Sequence, residues 1–349
     1  MSMLPYYFLF LIPAGGALIP GQYTDGVKRA FWCSAGALFI MLIGFRHQVG
    51  GDWGSYLSHY ACTVDASFVF ALVTNDPAYG ALNWAMAHLG WGVYGVNVVC
   101  ALIFVAGLWR FLRLQPLPWL GLIAATPYLV IVVSMGYTRQ AVAIGFGLWA
   151  LAVLQQARFR RFFFYVALGA LFHKSAVILF PFGFVMGDRR TRIRDGIFWG
   201  GLALGIGVIL LQEKFDSMWT QYVEQQMEST GALVRVAMNA LAGVVVLLWG
   251  RALRIPDSVR PVYKAMALIC IVSLPLTLVI STAVDRVALY MIPLQILVAA
   301  RFPLAFRHNE VQYMAYVSIV FSYAAVLWVW LNHASHAPAW LPYQNILFV

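Results

Sequence analysis

Long apolar runs parted by short basic turns recur from Leu4 to Leu331, and that alternation leaves few folds open to the chain. A helix of about 20 apolar residues spans the hydrocarbon of a bilayer, and only closed hydrogen-bonding structures survive there. Runs fall near 4–20, 30–45, 91–109, 119–133, 141–156, 162–172, 175–186, 196–211, 233–250, 265–282, 287–300 and 311–331. The expected fold is an all-α polytopic membrane protein with about 10–14 transmembrane helices. Residues 1–349 form a single integral membrane domain in this reading, because no hydrophilic stretch is long enough for a second one. The apolar stretch Met1–Pro20 lacks a basic leader and reads as the first span, not as a cleaved signal peptide.

The net charge of +10 does not indicate nucleic acid, since the basic residues sit in short clusters between apolar runs. Six of the 23 basic residues, Arg46, Arg139, Lys174, Lys214, Arg235 and Arg286, fall on one side of the alternation. The remainder occupy the opposite loops, which the positive-inside rule makes cytoplasmic. Two segments on the outer side are expected to form surface helices: 54–90, and 212–230, where Phe215, Met218, Trp219 and Tyr222 share one helical face. The second is read as an interfacial anchor in preference to a lid. Cys33, Cys62, Cys100 and Cys270 show neither metal-ligand spacing nor a disulfide framework.

The outer side carries the chemistry. An expensive polar island, Arg46-His47-Gln48-Val49-Gly50-Gly51-Asp52-Trp53-Gly54-Ser55-Tyr56, interrupts the apolar pattern. Arg139, Lys174 and Arg286 are each expected to begin a helix running inward from that face. A helix N-terminus offers free N–H groups and partial positive charge, so an added cation makes it an anion site. Together with Arg46 these three could hold a diphosphate without metal, arginine supplying a planar fork for phosphate oxygens. Singly, each cation is equally read as a helix flank or as a partner of Asp52 or Asp285. As a set on the side poor in positive charge, they favour the anion site. Lys214 and Arg235 read as ordinary surface charges.

Asp52 and His173 are the candidates for taking a hydroxyl proton, and the alternative roles are a clamp on Arg46 and a helix-terminal hydrogen bond. Tyr56, Trp53, Tyr137, Gln140 and Tyr290 are candidates for contacting sugar. No Asp-x-Asp occurs, and His333 and His336 lack companion carboxylates, so no metal or other cofactor is expected. Prolines 127, 181, 275 and 293 fall inside runs and are expected to bend or break them.

The set Arg46…Gly50-Gly51-Asp52…Tyr56, Arg139-Gln140-Ala141, Phe172-His173-Lys174-Ser175-Ala176, Arg286…Tyr290 and Pro342-Tyr343 resembles the EpsG-type family of bacterial polysaccharide polymerases, related to the Wzy O-antigen polymerases. The resemblance implies a GT-C-like, metal-independent glycosyltransferase of the bacterial inner membrane with its site facing the periplasm. It implies undecaprenyl-diphosphate-linked oligosaccharides as substrates, membrane lipid around the helices and a chain-length regulator protein as a candidate partner. Arg46, Arg139, Gln140, Lys174, Arg286, Tyr56 and Tyr290 would bind the diphosphate sugar, with Asp52 or His173 as base. Two other readings use the same anion site: another polyprenyl-linked-donor glycosyltransferase or ligase, and a transporter or flippase of lipid-linked sugars. No internal repeat of the kind common in transporters is evident.

Overall fold

The computed structural model describes residues 3–18, 24–156, 158–185 and 231–348. The expected span 196–211, the helix 212–230 and Lys214 lie outside them. Among the described residues the chain is helical without strands, as an all-α polytopic membrane protein requires. Among the described residues, five helices are long and apolar enough to cross a membrane: Asp25–Gly44 (α2), Gly92–Leu112 (α6), Pro118–Gly136 (α7), Ala232–Trp249 (α10) and Asn309–His333 (α14). The pair Ser281–Leu289 (α12) and Ile292–Ala299 (α13), bent by 47°, makes a sixth span if counted as one. Shorter apolar helices are Leu4–Leu18 (α1), Thr138–Leu154 (α8) and a 3₁₀ helix at Lys174–Phe184. Helices Phe159–Phe172 (α9) and Arg260–Leu276 (α11) complete the apolar set.

Exposure separates the helices by environment. The long α14 buries only Ala315, Leu327 and Leu331, leaving an apolar surface that water would not tolerate but lipid does. By contrast α8 is buried along almost its whole length, packed between α6, α9 and the 3₁₀ helix. Protein, not lipid, forms its walls, so it has no need to match the bilayer's thickness.

Close packing of α6 on α8 rests on two glycines that face each other. A Cβ on Gly107 would lie 2.1 Å from the carbonyl oxygen of Gly145, and one on Gly145 would lie 2.8 Å from Phe104 Cα. Small residues allow such backbone approach in membrane bundles. Gly107→Ala must push the helices apart, at a cost of about 1–3 kcal/mol for an overpacked core. Its melting temperature in detergent should fall by several degrees. Gly15→Ala, whose Cβ meets nothing within 4 Å, is the control and should show no comparable loss.

Proline shapes two of the spans. Pro127 has no N–H to donate, and the chain around it widens into π-helix over Thr126–Val133. Pro293, also without a donor, follows the tight turn in which Tyr290 and Met291 bond back to Val287 and Ala288, and there the α12–α13 span breaks. The expectation that Arg286 starts an inward helix is corrected by this break. Arg286 sits within α12, which begins at Ser281.

The 54–90 segment folds as three short helices, Trp53–Val64 (α3), Phe68–Thr74 (α4) and Pro77–His88 (α5). The C-terminal tail pairs with the turn that precedes them. His47 N–H donates to Gln344 O, Ile346 N–H to Phe45 O and Gly50 N–H to Ala339 O, each at 2.9 Å. The Trp340 indole N–H reaches the carbonyl of Ile131 in the widened helix at 3.0 Å, and the Tyr6 hydroxyl donates to Trp340 O at 2.6 Å. The polar island is thus tied to both the first helix and the end of the chain.

Candidate active site

The turn after α2 is shaped by Gly50, whose φ of +104° few other residues adopt. A Cβ there would also strike the Met135 carbonyl at 2.4 Å, so the turn lies directly against the end of α7. Asp52 follows at the cap position of α3, yet its carboxylate makes no capping hydrogen bond. It is half-buried, and burial raises its carboxyl above the usual range while the charges of Arg139 and Arg286 pull it back down. Burial also pushes the neighbouring Tyr56 phenol up to about 12, with the Asp52 charge adding to the effect.

Arg139 is the second residue of α8, at the helix start expected from the sequence. Its guanidinium pairs with Asp76 at 3.0 Å and lies over the Tyr79 ring at 5.8 Å. Asp76 precedes α5, so the short helices of the 54–90 segment supply a carboxylate to the site. Lys174 begins the 3₁₀ helix, again as expected, and His173 caps it. The His173 ring is held down to about 3, first by burial and then by the charges of Arg139, Arg286 and Lys174. Arg286 is exposed on α12. The same two arginines therefore act on both Asp52 and His173, which brings four separate parts of the sequence to one place.

The structure moves Arg46 to another position than the expected phosphate-facing wall. At 0% exposure its guanidinium donates to Ile43 O at 2.7 Å, Asn97 Oδ1 at 3.3 Å and Thr138 Oγ1 at 2.6 Å. Thr138 is the first residue of α8, so Arg46 braces the helix start that presents Arg139. Tyr56 and Tyr290 are likewise interior, at 3% and 1% exposure, and meet other side chains in this conformation in place of an open sugar surface. Tyr56 packs edge-on to Tyr79, and Tyr290 hydrogen-bonds Ser175. Gln140 is also buried, and its Nε2 has no hydrogen-bond partner among the described residues.

Arg235, expected to be an ordinary surface charge, is instead part of an ion pair. It forks onto both oxygens of Asp285 at 2.8 and 2.6 Å and lies 5.2 Å over the Tyr128 ring. Asp285, expected to pair with one of the site cations, is thus engaged by Arg235. The missed residues are Asp76, Arg235, Ser175 and Thr138. Their identities carry little signal alone; only the adjacency of Asp285 to Arg286 and the Asp76-Pro77 helix start hinted at involvement. Among the described residues no group of three or more His, Cys, Asp or Glu is arranged to hold a metal ion.

A membrane bundle with cations at the open ends of two helices is suited to binding an anionic group. The EpsG family model matches residues 29–345, nearly the whole chain. The chain belongs to the EpsG family. EpsG proteins are a Wzy-like polysaccharide polymerase family, and the match covers every site residue described above. Comparison with curated proteins and with solved structures returned no match. This EpsG protein is accordingly a membrane-embedded polysaccharide polymerase.

Proposed function

We propose that this EpsG protein polymerises undecaprenyl-diphosphate-linked oligosaccharide repeat units at the periplasmic face of the inner membrane. It acts as a metal-independent, GT-C-like glycosyltransferase. The observation that supports this reading is the pair of helix starts at Arg139 and Lys174 in a chain that the EpsG family model covers almost entirely. The sugar on a diphosphate set among those cations has its anomeric carbon in reach of a half-buried carboxylate, Asp52.

A hydroxyl of the acceptor repeat unit attacks the donor's anomeric carbon, and the bond from that carbon to the diphosphate oxygen breaks. The electron pair leaves with undecaprenyl diphosphate, and Asp52 takes the hydroxyl proton. Burial suits Asp52 to this step, because a carboxylate of raised pKa is a stronger base. Arg139, Lys174 and Arg286 stabilise charge as it develops on the leaving group. Apolar helix faces hold the prenyl chains, and a separate chain-length regulator is a candidate partner.

The test is purified protein in liposomes given a lipid-linked single repeat unit. Glycans longer than one unit are expected. Unchanged glycan moved to the other leaflet would favour a flippase, and transfer of a single unit to another acceptor would favour a ligase.

A further inference from the structure

The contacts of His173 point to one arrangement of the protons on and beside its ring. Its Nδ1 lies 3.4 Å from the backbone N–H of Ser175 and 2.5 Å from Ser175 Oγ. A backbone N–H can only donate, so Nδ1 presents a lone pair. An imidazolium carries protons on both nitrogens and has no such lone pair. The ring is therefore neutral and carries its proton on Nε2. The Ser175 hydroxyl then donates to Nδ1, at the shorter of the two contacts. Ser175 Oγ lies 2.9 Å from the Tyr290 hydroxyl, and with its own proton committed it accepts from Tyr290. Tyr290 is buried, so its proton is not drawn off by water. The chain runs Tyr290 O–H to Ser175 O–H to His173, ending at Nε2–H.

We infer that Tyr290 and Ser175 lock His173 as the Nε2–H tautomer and make it a neutral hydrogen-bond donor to the substrate diphosphate, not the general base. The inference rests on the proposed polymerase reading for the identity of that substrate. Three charges that act on the ring, from Arg139 on α8, Arg286 on α12 and Lys174 on the 3₁₀ helix, argue in the same direction. They attract an anion and oppose a fourth cation. A neutral donor adds a directed bond to the phosphate oxygen without repelling them. A chain of aligned hydroxyls also polarises the terminal N–H and strengthens it as a donor.

The proton balance of the reaction follows. Nε2 keeps its proton throughout and bonds to the diphosphate oxygen that receives the electron pair from the breaking anomeric bond. The attacking hydroxyl's proton has no free ring nitrogen to go to and passes to Asp52. Ser175 and Tyr290 touch no substrate; they are positioning residues, and Tyr290 acts through His173 instead of stacking on sugar.

Two experiments test this independently. In protein labelled with ¹⁵N-histidine and reconstituted in bilayers, the His173 resonance is assigned by its loss in His173→Gln. The expected spectrum has a bare Nδ1 and a protonated Nε2 from about pH 5 to 8, with mixed tautomers in Ser175→Ala and the single form restored in Ser175→Thr. A protonated Nδ1, or charging of the ring in that range, would overturn the assignment. In the polymerisation assay, glutamine places an amide N–H near the Nε2 position, so His173→Gln should stay within about tenfold of wild type while His173→Ala loses about 100-fold. A folded His173→Gln as slow as His173→Ala would overturn the donor role. The spectrum needs no substrate, so the expected tautomer in a protein that makes no polymer would count against the polymerase reading and leave the tautomer standing.

Discussion

Asp52→Asn is expected to slow polymerisation by on the order of 10²–10⁴-fold while leaving the KM for the lipid-linked donor nearly unchanged. Asparagine keeps the volume and the turn but cannot accept a proton. The carboxylate makes no cap bond to α3, so the helix loses no such support in the variant. The pH profile gives the sign. Only ionised Asp52 serves as base, so activity is lost as pH falls through its pKa. Burial raises that pKa, and Arg139 and Arg286 only partly oppose it, so the acid limb should lie above the usual carboxylate range. Arginine replacement should move that limb further up, because removing a cation favours the neutral acid. A profile in which Asp52→Asn retains both the limb and the rate would remove Asp52 from the chemistry.

Arg139→Ala should cost on the order of 10²–10³-fold in turnover, the usual loss when one preorganised charge donor to a leaving group is removed. Lysine at this position keeps the charge but not the planar fork, and should recover only part of the rate. Part of the loss comes from Asp76, which Arg139 binds at 3.0 Å and which keeps its negative charge beside the site when the guanidinium is removed. The double variant Arg139→Ala, Asp76→Asn separates the two effects. It should exceed the single variant in rate but stay well below wild type. Full recovery in the double variant would mean that Arg139 serves only to neutralise Asp76.

How far these residues were legible in the sequence depends on the range of the interactions that define them. The membrane bundle follows from local hydropathy, and the helix starts at Arg139 and Lys174 follow from the break between apolar runs and the polar residues that fill it. The start of α12 was missed because Ser281–Leu289 is short and only weakly apolar, so its polar residues looked like a turn before one continuous span. Arg46 was misplaced for another reason. Its charge and its place after a span are visible locally, but its partners Asn97 and Thr138 come from 51 and 92 positions away. A buried, braced arginine and a substrate-facing one have the same local sequence.

Arg235 and Asp285 make the same point in reverse. Fifty residues separate them, and nothing in the window around Arg235 distinguishes it from a surface charge. The tail was equally hidden. Its part in holding the Phe45–Gly50 turn is visible only once Gln344 and Ile346 pair with that turn. Long-range hydrogen bonds, in short, decide which of the polar residues face the site and which hold it up.

The central claim is that the cation-lined site consumes a diphosphate-linked sugar to make a glycosidic bond. Its most direct test is the stoichiometry of lipid diphosphate released per linkage formed by the purified protein on a defined lipid-linked repeat unit. One lipid diphosphate per new bond is expected, with both products lost together in Asp52→Asn and Arg139→Ala. Glycan elongation without lipid diphosphate release, or undiminished release in both variants, would contradict it.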